Sequence, residues 1–149
     1  MGKLGKALAI HTTIGLDTAI FIYHLEGNPN YLPLTRQLLE DVQAGEWQAL
    51  TSTITLLELT VPAWRAGRDY VAREYETILV NFPHLRLQDV TREVARWGAQ
   101  LRARFNIRTP DALQIAASLE GGATAFVTND RNLLRLSEVV SVIVLDDYR

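Results

Sequence analysis

The sequence predicts a three-layer α/β protein with a mostly parallel sheet, and three observations carry that expectation. Short β-rich runs alternate with helix-length amphipathic stretches along the chain, the pattern of successive βαβ units. No internal repeat, low-complexity tract or long charge block divides the 149 residues, a length that suits one domain over 1–149. A composition of 48% hydrophobic and 21% charged residues excludes collagen, coiled coil and a disordered tail protein.

The elements follow in order. Thr13-Ile14-Gly15-Leu16 reads as a buried strand, and Thr18 to Glu26 continues as a helix stopped by Gly27-Asn28-Pro29-Asn30. Leu34, Leu38, Leu39 and Val42 have helical spacing that ends at Gly45, and Trp47 to Thr51 is a second strand. Thr53 to Ala66 reads as a helix with Ile54, Leu57, Val61 and Trp64 on its apolar face and a bend at Pro62. A helix from Arg68 to about Asn81 leads to the strand Leu85-Arg86-Leu87, and Arg92 to Phe105 is amphipathic. Thr109-Pro110 starts the next helix, with Thr109 as N-cap and Pro110 in the first helical position, and Gly121-Gly122 ends it. Thr124 to Thr128 is a strand, Asn132 to Leu136 a short turn of helix, and Val139 to Leu145 a final strand.

Charge and composition exclude several function classes. A net charge of −2 gives no global attraction for nucleic acid, so any such binding needs a local basic rim or a metal ion. Lys3 and Lys6 are the only lysines, which removes P-loop and Schiff-base chemistry from the body of the fold. The absence of cysteine removes thiol catalysis, iron–sulfur clusters and Cys-based zinc sites. The apolar run Ala7 to Ile10 is cut short by His11, Thr12 and Thr13, too soon for a secretory signal, and no segment approaches a membrane span of about 20 apolar residues. A cytoplasmic location with no membrane contact is therefore expected.

Ligands of open α/β sheets sit at the carboxyl ends of the strands. Asp17 follows the first strand directly, and Asp130 follows the fourth in Val127-Thr128-Asn129-Asp130. Glu58 lies one turn beyond Ile54 on the flank of the apolar stripe, and Asp111 lies one turn before Ile115, bordering the buried face. Each acid has an ordinary explanation: Asp17 as an N-cap, Asp111 as a complement to the helix dipole, Asp130 as a turn residue or partner of Arg131. Glu58 among Leu56, Leu57 and Leu59 is harder to explain so, because an unpaired buried carboxylate is costly. Four carboxylates from four distant segments, with no Lys, Cys or His beside them, need protons or a cation. Hard oxygen ligands select Mg²⁺ or Mn²⁺, and the chemistry such a site supports is phosphodiester hydrolysis.

The strings Leu16-Asp17-Thr18, Ser52 through Leu59, Asp111 through Ala117 and Val127 through Asp130 together resemble the PIN-domain ribonucleases, and within them the VapC-type toxins of toxin–antitoxin pairs. The resemblance covers nearly the whole chain in the expected order. It implies strand order 3-2-1-4-5, Mg²⁺- or Mn²⁺-dependent cleavage of RNA, inhibition by a small cognate antitoxin, and a homodimer. It assigns Asp17, Glu58, Asp111 and Asp130 as catalytic, metal-binding acids and Thr128 as a hydroxyl that holds a water or a ligand carboxylate. Many relatives carry Asn in the place of Asp130. Residues 1–12 form an N-terminal leader for which the resemblance gives no account.

Other features have plainer readings. His11, His24 and His84 are scattered without zinc-ligand spacing, and no nucleophile elbow is present. Trp47, Trp64 and Trp97 read as core or interface residues. Of the arginines near the Asp111 edge, Arg102, Arg104 and Arg108 are the candidates for RNA phosphate contact. Leu25, Tyr31, Leu32, Leu56, Leu59, Val61 and Trp64 supply more apolar surface than two helices need, consistent with self-association. The alternative function is a catalytically idle PIN-type module that binds RNA or a partner protein.

Overall fold

Ile14 and Leu16 point to one face of β1 (Thr13–Leu16) and are fully buried, while Gly15 faces the other way. In the computed structural model, which describes residues 2–149, this strand is the middle of an all-parallel five-stranded sheet. On one side lie β2 (Gln48–Ser52) and then β3 (Leu85–Gln88); on the other lie β4 (Ala125–Thr128) and then β5 (Ser141–Val144). The order is 3-2-1-4-5, as expected. The winding direction reverses between β1 and β4, which opens a crevice at their carboxyl ends.

Helices α2 (Thr18–Glu26), α3 (Leu32–Gln43), α4 (Thr53–Arg65) and α5 (Asp69–Asn81) form one layer over Ile14, Leu16, Ala49, Leu85 and Val127. The opposite layer is α6 (Arg92–Phe105) and α7 (Thr109–Glu120), packed on Phe126, Leu133, Leu136 and Val140. Gly15 explains how closely α7 approaches the sheet. A Cβ on it would stand 2.2 Å from Ser118 Oγ and 3.0 Å from the Phe126 ring, so the helix rests on bare backbone. Among the described residues, no helix is long and apolar enough to cross a membrane.

One segment without a prior reading gains one, and two local expectations are corrected. The leader contains a helix, α1 (Lys3–Leu8), whose Leu4 and Leu8 enter the first core, while the Trp47 indole donates to the Leu8 carbonyl at 3.0 Å. Thr109 is the first residue of α7 rather than its cap; Arg108 takes the cap position without a side-chain bond, which moves Pro110 one place inward. Helix α4 buries Thr55, Leu59, Thr60 and Ala63, so the expected stripe is turned to the side, with Ile54 and Val61 half-buried and Leu57 57% and Trp64 48% exposed. The cause is Thr55, whose hydroxyl is satisfied inside by other polar side chains and so competes for the buried side. The helix runs through Pro62, which leaves the Glu58 carbonyl without its usual backbone donor.

Candidate active site

The four acids meet at the crevice between β1 and β4. Asp17 ends β1 and caps α2: its Oδ1 accepts from the Thr18 backbone N–H at 2.9 Å and its Oδ2 from the Thr128 hydroxyl at 2.7 Å. Thr128, fully buried at the end of β4, accepts in turn from the Asp130 N–H at 3.1 Å. Asp130 caps the following 3-10 turn (Arg131–Leu136) through the Asn132 N–H. Arg131 turns away to Asp146 and Asp147, so it is not the partner of Asp130. Asn129 anchors the same loop, donating to Tyr23 Oη and accepting from the Asp146 N–H.

Glu58 reaches the crevice from α4. The leucines beside it do not bury it as expected; the residue is exposed, and its Oε1 accepts from the Thr18 hydroxyl at 2.8 Å. Asp111 is buried in the first turn of α7, where its Oδ2 accepts from Arg108 Nε at 3.1 Å. The cap and helix-dipole explanations therefore hold for Asp17, Asp130 and Asp111, and the same positions place the three acids at one end of the sheet.

The charges of these acids act on Asp17 and on Arg108. Burial pushes the Asp17 carboxyl up to about 6, against the pull of its Thr128 and Thr18 hydrogen bonds, and the charges of Asp111 and Glu58 push the same way. The Arg108 guanidinium is held more firmly protonated by its bond to Asp111 and by the fields of Asp111, Asp130 and Glu58. One arginine thus feels three of the acids, and the fourth feels two of them.

Of the three arginine candidates, only Arg108 stands at the acids. It shares a cavity of about 180 Å³ with Asp111, Asp130, Asn132 and Arg135. Arg102 donates through Nε to the Ile107 carbonyl at 2.9 Å, and Arg104 pairs with Glu138 at 2.7 Å over the Phe105 ring. Arg135, which the sequence did not single out, donates to the Phe105 carbonyl at 3.2 Å. Arg102 and Arg135 therefore brace the turn at Asn106, left-handed at φ 52°, that delivers Arg108 to Asp111.

Sequence reasoning also missed Thr18, Ser52, Thr55 and Gln114, a buried polar group directly beneath the acids. The available signal was Gln114 itself, an amide three residues after Asp111 on the buried side of an apolar helix.

The acids fit a hard divalent cation as a donor set, because they are oxygen ligands whose mutual repulsion a cation would relieve. Among the described residues no three acid or histidine side chains stand together as a closed metal cage.

The sequence profile of the PIN domain matches residues 14–139, from β1 through the 3-10 turn after β4. No curated protein matches the chain. Three solved structures share the fold. A chain of a toxin–antitoxin complex from Klebsiella pneumoniae matches with TM-score 0.64 at 19% identity, covering 89% of this chain and 97% of that one. VapBC2 from Rickettsia felis, bound to a promoter DNA fragment, gives 0.69 at 18% identity over 89% and 98%. DNA-bound VapBC from Salmonella typhimurium gives 0.61 at 20% identity over 90% and 98%. The profile takes in the segments that carry all four acids, and on that match the chain belongs to the PIN domain family.

Proposed function

We propose that the protein is a Mg²⁺- or Mn²⁺-dependent ribonuclease and the toxin of a toxin–antitoxin pair. The observation that carries the reading is the half-buried Asp17 carboxyl, raised to about 6 beside Glu58 and Asp111, with Asp130 just past the end of the neighbouring strand β4 and one arginine at the rim. Asp17, Glu58, Asp111 and Asp130 would hold the cation. When bound, it would activate water and stabilise charge developing on a scissile phosphate. Thr128 and the Thr18 N–H fix both oxygens of Asp17, and Thr18 Oγ1 fixes Glu58, so two of the four ligands are oriented beforehand. Arg108, with its side chain 75% exposed, is placed to contact an RNA phosphate once a cation takes over the charge of Asp111. The alternative, an idle RNA- or protein-binding module, is disfavoured by the presence of all four acids.

The partners extend the reading. The three similar structures are toxin–antitoxin complexes, which supports a cognate antitoxin here. We place all of 1–149 in one domain, with α1 docked on its core, working in the cytoplasm where RNA is accessible. Exposed Leu57 and Trp64 on α4 support a homodimer. Light scattering at tens of micromolar is expected to report a dimer; a monomer alone removes that part of the reading.

The decisive test is cleavage of mixed RNA by the purified protein with Mn²⁺ and with chelator. Cleavage is expected only with the metal. Metal-independent cleavage, or none with metal for a folded protein freed of any antitoxin, overturns the proposal.

A further inference from the structure

Beneath the acids, five buried polar side chains form a network in which the position of nearly every proton is determined. A carboxylate only accepts, so the Thr18 hydroxyl, 2.8 Å from Glu58 Oε1, must donate to it. Having spent its one proton, Thr18 must accept its bond from Gln114 Nε2 at 2.9 Å. On the far side, Thr51 donates to the Leu16 carbonyl at 2.8 Å and so accepts from Thr55 at 2.7 Å. Thr55 then accepts the second amide proton of Gln114 at 2.7 Å. The amide oxygen of Gln114 takes the remaining proton, from Ser52, whose Oγ also accepts the Ile54 N–H that starts α4. The reverse orientation of the amide would place two acceptors against each other at Thr18.

We infer that Gln114 is a positioning residue for Glu58, acting through Thr18: its amide occupies the acceptor side of the Thr18 hydroxyl and so commits the proton to the carboxylate. The inference rests on the metal-dependent reading of the acid site. Gln114 is 2% exposed and bonds side chains from α2, α4 and the end of β2, so it also ties together the elements that carry Asp17 and Glu58. Without it, the Thr18 hydroxyl is free to turn to Thr55, 2.9 Å away. A buried amide with both ends satisfied is costly to disturb, which gives the arrangement its rigidity.

The test is a double-mutant cycle on Mn²⁺ affinity, read by calorimetry on the full chain. Gln114→Met is expected to raise the Mn²⁺ Kd by about 10–100-fold when Thr18 is present. In the Thr18→Val background the same change is expected to cost several-fold less, because the route through Thr18 to Glu58 is already cut and only the bonds to Ser52 and Thr55 remain to be lost. Gln114→Glu keeps the volume but offers acceptors only; it is expected to pull the Thr18 proton off Glu58 and weaken Mn²⁺ binding. An equal loss in both backgrounds, no loss from Gln114→Met, or tighter binding by Gln114→Glu overturns the assignment. If wild type binds Mn²⁺ with the expected coupling but does not cleave RNA, the nuclease reading fails and the positioning role stands. If wild type cleaves and the cycle shows no coupling, only the positioning role fails. A wild type that binds no Mn²⁺ removes both.

Discussion

Asp111→Asn is expected to lower Mn²⁺-dependent RNA cleavage by on the order of a hundredfold or more while the fold persists. Removing a metal ligand should cost at least as much as removing an outer partner of one, about 10–100-fold. Asparagine keeps the size of the side chain and one acceptor for Arg108 Nε, so the turn that delivers Arg108 has no cause to move. The stability terms are small and opposed. The first turn of α7 loses a charge worth about 0.3–1 kcal/mol against the helix dipole. Asp17 is relieved of a like charge. The exposed Arg108 guanidinium is screened by water and weighs little in this balance. If Asp111 served only the helix dipole, the pairing would reverse: a modest loss of stability with cleavage intact. Cleavage rates and chelator-treated melting curves for the one variant distinguish the two, and cleavage at the wild-type rate would overturn the four-acid site.

In chelator, Asp17→Asn is expected to make the protein more stable at neutral pH, by at most about 3 kcal/mol, because the amide nitrogen that replaces one carboxylate oxygen gives up a hydrogen bond that Asp17 accepts. The folded state holds the Asp17 proton up to about 6, whereas an ordinary aspartate releases it near 3.8, and each pH unit between them corresponds to about 1.36 kcal/mol. The folded state therefore binds more protons than the unfolded state between those values. Stability from this group is fully present below about pH 4 and is lost as pH rises through about 6. Wild type should lose stability across that window relative to Asp17→Asn, which carries no such group. Other carboxylates titrate in both proteins, so the difference between their pH profiles isolates Asp17. Millimolar Mn²⁺ should restore wild type alone, adding about 2.7 kcal/mol at a hundredfold excess over Kd. Parallel pH profiles for the two proteins would sink the account.

The fold was legible because strands of a parallel sheet are buried on both faces and read as short apolar runs between turns. Asp17 and Asp130 were legible for a related reason: the first follows such a run directly and the second after one intervening residue, where the chain must leave the sheet. The phase of α4 was not. Leu56, Leu57, Leu59 and Val61 surround the helix, so apolar spacing alone admits more than one buried side, and the choice was made by the hydroxyl of Thr55. Helix α1 was hidden too, because KLGKAL has no side-chain cap and gains its order from docking Leu4 and Leu8. Gln114 was overlooked between Leu113 and Ile115 because its partners come from residues 59 to 96 positions away, a separation that local pattern cannot reveal.

The central place of β1 also governs when the site can exist. Asp17 emerges early in synthesis, yet its bond to Thr128 spans 111 residues, and β1 finds its second neighbour only when β4 has been made. Chains grow at roughly 5–20 residues per second, with N-terminal parts free to fold first. The early strands and helices therefore wait roughly 5–20 seconds for the segment that completes the crevice. Until then the nascent chain carries Asp17, Glu58 and Asp111 without the strand that gathers them or the Asp130 that follows it, so the growing chain holds no complete acid site.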